Sequence, residues 1–300
     1  MPAVRVHGGP GMRRSWRAHT ACKNQRFTPN VPKRKAMSIT DPSTTKSIGE
    51  GPGKEISGTD LAQGGSNAPN LFRRPTIAIP IPTPSVQYQR VEAGVPDSQM
   101  TREATGLLRE FSTPLLFNHS HRVFFWAEER GKRTEERFDV ELLFISAAFH
   151  DMGLLKTFSS EDDRFEVDSA NAVRQFLEHH GVADARIQTA WDAIALHTTP
   201  GIAVYKPIEV ELLYNGIILD VLGTGYESFP ADVRERVVAQ YPRVAFKQGI
   251  ADAFFRGIEH KAMTAEGTCN EDICSHFIRN YKRSNFYEQI QSSPFQNSEE

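Results

Sequence analysis

The run Val140-Glu141-Leu142-Leu143-Phe144-Ile145-Ser146-Ala147-Ala148-Phe149 constrains the fold of this chain more than any other stretch. It is apolar on nearly every side, which fits a helix buried all round rather than an amphipathic surface helix. His150 and Asp151 stand at its end. Ionisable side chains in such a place must be paired, hydrogen-bonded or bound to a cation. Gly153 follows and can end the helix. Where the backbone leaves its helical path, two consecutive side chains can converge on one point, which a regular turn forbids. An imidazole nitrogen and a carboxylate oxygen can then face one metal ion.

Further ligands are sought where an ionisable residue falls on a face that the periodicity assigns to the core. His119 shares helical spacing with Leu115, Leu116, Arg122, Val123 and Trp126, whereas His121 points elsewhere. Asp220 shares a face with Leu213 and Ile217 in a segment almost without charge after Glu211. An unpartnered carboxylate buried there would cost several kcal/mol, on the order of the penalty for one desolvated ion, so it needs a partner. His119, His150, Asp151 and Asp220 are therefore the expected ligands of one divalent ion. Two nitrogen and two oxygen donors suit zinc first, then iron or manganese, and leave room for water.

The order His119, His150-Asp151, Asp220 resembles the HD metal-dependent hydrolase superfamily, with its H…HD…D signature on a helical bundle. The blocks Asn118 to Val123, Ala148 to Leu154, Phe165 to Asp168, Ile194 to His197 and Leu219 to Gly223 are similar to the fungal cyanamide hydratase branch. That resemblance implies an all-α fold, an HD-domain helical bundle, and a lyase adding water to cyanamide to give urea through a metal-bound hydroxide. Glu166 and His197 are the candidate proton donors for that reaction, and no substrate-binding residue is assigned. Two other readings stand beside it. One is an HD-type phosphohydrolase acting on a nucleotide or small phosphomonoester, which would want a basic clamp; Arg122, Lys156 and Arg164 are the basic residues near the motifs. The other is a non-catalytic regulatory HD module, against which the presence of all four ligand residues argues.

The rest of the chain divides by composition. Residues 1–85 are rich in Pro, Gly, Ser and Thr, carry no acidic residue before Asp41, and show no sustained periodicity, so a disordered basic tail is expected. Residues 86–295 form the expected HD domain, and 296–300 a frayed C-terminus. The tail also has the charge of a mitochondrial transit peptide, but Gly8, Gly9, Pro10 and Gly11 interrupt any amphipathic helix in it. The expected location is cytoplasmic, with mitochondria as the alternative. A net charge of -2 gives no drive toward nucleic acid or an acidic membrane, and no apolar run is long enough to span a bilayer. The expected partner is a small-molecule substrate, with a homo-oligomer left open.

In the second half, a loop is expected from Leu154 to Arg164, and a helix from Ser169 to His180 capped by Asp168. His179 and His180 are expected at the surface. Phe117, Trp126, Phe149, Leu154 and Trp191 are the candidate pocket walls.

Overall fold

The computed structural model describes residues 92–295, so the expectations for the N-terminal tail, for 86–91 and for 296–300 lie outside the described residues. Ten α-helices follow one another: α1 Gln99–Phe111, α2 Pro114–Gly131, α3 Val140–Phe149, α4 Phe165–His179, α5 Asp184–Ala195, α6 Ile208–Leu222, α7 Ala231–Gln240, α8 Phe246–Ile258, α9 Asn270–Phe277 and α10 Phe286–Gln291. No strand occurs among the described residues, as the all-α expectation requires.

Local sequence sets the helix starts. Ser98 and Thr101 form a reciprocal capping box, each side chain accepting from the other's backbone N–H. Thr113 caps α2, and Pro114 fills its first turn, where a missing N–H costs nothing. Asp139 caps α3 by accepting from the Leu142 N–H at 3.0 Å.

From Leu142 to Phe149 every residue of α3 is buried, as its sequence predicts. The helix packs against α1, α2, α4, α5 and α6, so its end lies inside the bundle. α2 and α6 approach closely at Gly216, where an added Cβ would come within 2.5 Å of the Val123 carbonyl oxygen. A second close approach is at Gly153. A Cβ there would sit 2.1 Å from the Phe165 carbonyl oxygen, so only glycine lets the turn after His150-Asp151 lie against α4.

Three expectations are corrected. α4 begins at Phe165, four residues before the expected start, because Arg164 already has the extended dihedrals of the residue before a helix. Asp168 therefore sits inside the first turn and caps nothing; it is buried and ion-paired with buried Lys261. The segment after Gly153 is not a plain loop, since Met152–Leu154 and Lys156–Phe158 form 3-10 turns and Phe158 is buried. His180 is not a free surface residue: its Nε2 lies 3.0 Å from Glu103, while His179 is exposed.

No helix among the described residues is long and apolar enough to cross a membrane.

Candidate metal centre

His119 lies on α2, His150 at the last turn of α3, and Asp151 where the backbone leaves the helix. His150 keeps helical dihedrals, whereas Asp151 has φ -107° and ψ 7°. The break turns the carboxylate back toward the preceding imidazole. His150 Nε2 lies 3.2 Å from Asp151 Oδ2 and 3.2 Å from His119 Nε2, and His119 Nε2 is 3.6 Å from the same Oδ2. All three residues are buried.

The hydrogen bonds fix which atoms point inward. His150 Nδ1 lies 2.8 Å from the Ala147 carbonyl oxygen and can only donate to it. His119 Nδ1 likewise donates to Asp220 Oδ2 at 2.7 Å. Neutral imidazoles arranged this way carry lone pairs on their Nε2 atoms, and those two atoms face each other. Neither Asp151 oxygen accepts a hydrogen bond, although both are buried. Such a cluster of acceptors is unstable without a proton or a cation among them. A proton on His150 is favoured: burial disfavours its charge, but the adjacent Asp151 carboxylate outweighs burial and raises its pKa. Burial pushes the Asp151 carboxyl up, but His150 beside it outweighs burial and holds it well below the ordinary carboxylate range. A divalent cation would replace that proton, and the donor set of His119, His150 and Asp151 fits one.

The structure brings together three of the four expected ligands. Asp220 stands one step out, on the other side of the His119 ring. Its Oδ2 also accepts from Arg122 Nη2 at 2.9 Å, and its Oδ1 from Arg122 Nε at 2.9 Å, Trp126 Nε1 at 3.0 Å and Arg243 Nη1 at 2.7 Å. With both oxygens engaged, the carboxylate orients His119 through Nδ1. These donors answer the question of what partners a buried Asp220. Arg243 and Trp126 were not assigned this role from sequence.

His197 follows α5 and is buried beside the cluster. Its Nδ1 donates to the Ile194 carbonyl oxygen at 2.6 Å, and its Nε2, without a hydrogen-bond partner, lies 3.8 Å from Asp151 Oδ1. Burial, followed by the neighbouring His150, lowers its pKa to about 4. It is therefore a neutral ring with a lone pair aimed at the centre. Glu166, at the start of α4, accepts from Arg164 Nη2 at 2.7 Å and from Thr198 Oγ1 at 2.5 Å. Burial pushes its pKa up, but the Arg164 hydrogen bond and charge outweigh burial and hold it below its ordinary value. His197 borders the centre, Glu166 is bonded to the Thr198 that follows it, and neither holds an available proton in this arrangement.

Aromatic rings close the surroundings. Phe246 on α8 lies 5.4 Å from the His119 ring, and Phe165 lies 5.5 Å from His197 and 5.5 Å from Phe254. Of the expected walls, Leu154 packs with Phe165 in one cluster; the rings named here are others. Phe149 packs on Phe176, Trp126 on Phe229, and Trp191 donates to Asn171. Periodicity marks a residue as inward-facing, but which inward residue reaches the site depends on helix crossings that a single sequence does not show.

The HD domain family matches residues 116–222, a span that begins in α2, ends with α6 and contains His119, His150, Asp151 and Asp220. This part of the chain is similar to the HD domain. No curated protein matches the chain. The HD domain and its buried His-His-Asp cluster point to a metal-dependent function of the hydrolase type. α7 and α8, which lie outside the matched span, pack against α2 of the HD domain.

Proposed function

We propose that the chain is a zinc-dependent hydratase that adds water to cyanamide to form urea, or to a nitrile-like molecule of similar size to form the corresponding amide. The observation that carries this reading is the inward-facing acceptor cluster of His119, His150 and Asp151, enclosed by aromatic rings. The chemistry that a bound divalent ion supplies is a lowered water pKa, toward about 7, and polarisation of the substrate. In the addition, the water oxygen bonds to the nitrile carbon, one carbon–nitrogen π bond breaks, and the nitrogen takes up a proton; the isourea so formed tautomerises to urea. His197 Nε2 takes the proton from the attacking water and passes it to that nitrogen. Glu166 stays ionised and favours the protonated form of His197, which its charge raises in pKa. Glu166 is thus an electrostatic support and not the donor.

An uncharged substrate is favoured over a phosphate ester by the state of the nearby arginines. Arg122 is bound to Asp220 through two nitrogens and Arg164 to Glu166, so neither offers a free fork to a phosphate. Lys156 is exposed.

The experiment is a urea-release assay with cyanamide beside a phosphate-release panel of nucleotides, with metal content measured on the same samples. Saturable urea formation that is lost on chelation and regained with zinc is expected. Phosphate release without urea would overturn the reading. His150→Ala should empty the site and abolish turnover while the bundle stays folded by circular dichroism. His197→Ala should cut turnover by about 10²–10⁴-fold with metal retained, the range for loss of one acid–base group; loss of metal instead would make His197 a ligand.

A further inference from the structure

The His119 ring separates Asp220 from Asp151, and beyond Asp220 lies a cleft of about 770 Å³ between α6, α7 and the start of α8. Neither His119 nor Asp151 lines it. Its apolar walls include Trp126, Leu222 and Val238, with Tyr226 at the edge. That size and lining suit a small organic molecule, since such sites run to roughly 300–1,000 Å³.

Charge decides which kind. Three cationic side chains line the cleft, Arg234, Arg243 and Lys247, against two acidic ones, Asp220 and Glu235. Asp220 adds little negative potential, because buried Arg122 already neutralises it from the side away from the cleft lining. Arg243 is thus a second guanidinium on a carboxylate whose charge is matched. It gives Nη1 to Asp220, stacks on Phe246 with its guanidinium carbon 4.1 Å from the ring centre, and keeps its remaining N–H groups for another acceptor. Its side chain is 29% exposed. Lys247, at the start of α8, is exposed and unpaired among the described residues. Arg234 is fixed by donating to the carbonyl oxygens of Tyr226 and Phe229 and by stacking 4.0 Å over the Tyr226 ring. A half-open guanidinium held rigid beside an apolar wall is the arrangement that recognises an anionic head on an apolar body.

We propose that this cleft is a second ligand site, separate from the metal centre, which takes a small organic anion: a carboxylate, phosphate or sulfonate carried on an apolar body. The anionic group sits between Arg243 and Lys247, and the body lies along Leu222 and Val238. The inference does not depend on the reaction proposed above, because His119, His150, Asp151 and His197 do not line the cleft; Asp220, which orients His119, is the one residue shared by the two places.

The test is isothermal titration of the full chain with 2-naphthalenesulfonate and with its uncharged sulfonamide. The sulfonate should bind one per chain, and the sulfonamide at least about tenfold more weakly, since only the former can pair with the cations. Val238→Trp, which fills the cleft, and Lys247→Glu, which reverses a charge, should each weaken the sulfonate by at least about tenfold with an unchanged helical spectrum. Equal binding of the two probes, no binding, or sulfonate affinity that neither variant moves would overturn the proposal. Should a variant fail to fold, the comparison of the two probes on the natural chain still decides.

Discussion

Two oxygens of Asp220 receive five N–H donors from four residues, which makes this carboxylate the most heavily bonded group near the metal centre. Asp220→Asn keeps its size but removes the charge that holds two guanidiniums and the His119 ring. Metal affinity, read by competition with a zinc chelator, should fall by about 10–100-fold, the usual effect of losing a group that orients a ligand. Unchanged affinity would refute that role. Glu166 carries a different expectation. Its folded pKa lies below the ordinary value of 4.5, so the stability it contributes is fully present above about that pH and is lost as pH falls through the folded pKa. In Glu166→Gln this part of the acid sensitivity should be missing, seen as a flatter melting temperature between about pH 5 and pH 3. His119 and Asp220 were legible in the sequence because each breaks an otherwise apolar helical face. The partners of Asp220 were not, since Arg122, Trp126 and Arg243 lie 98, 94 and 23 residues away along the chain.

Between elements, the crossing of α2 and α6 brings His119 and Asp220 into contact. Gly216 sits at that crossing, against the Val123 carbonyl and the Ala127 Cβ. Gly216→Val should push the two helices apart, lowering unfolding free energy by about 1–3 kcal/mol, the common cost of overfilling a packed interface. Urea denaturation measures this loss, and zinc titration should show weakened binding in the same variant. A stability unchanged from the natural chain would mean that the helices do not rely on this approach. The buried character of α3 could be read directly from its composition, and so could the break at Asp151. The start of α4 could not, because Phe165 and Glu166 read equally well as loop or first turn until Gly153 is seen against the Phe165 carbonyl. Nor could the role of α8: Phe246 falls on a regular apolar stripe with Ile250, and only the folded chain brings its ring against Arg122, Arg243 and His119.

For the molecule as a whole, the enclosure of the donors governs time as well as affinity. His119, His150, Asp151 and His197 are all buried, with Phe246 against His119 and Phe165 against His197. A chelator as large as EDTA has no direct path to such a centre. An ion seated there would leave only when the helices part, at a rate set by the free energy of local opening rather than by the chelator. Its escape should therefore be independent of EDTA concentration above saturation and should quicken steeply in urea well below the unfolding midpoint. A release rate proportional to EDTA would show that the chelator reaches the ion in the closed bundle. In the expected case the departing metal behaves as a slow-exchanging amide proton does, and its half-life becomes a clock for the breathing of the bundle.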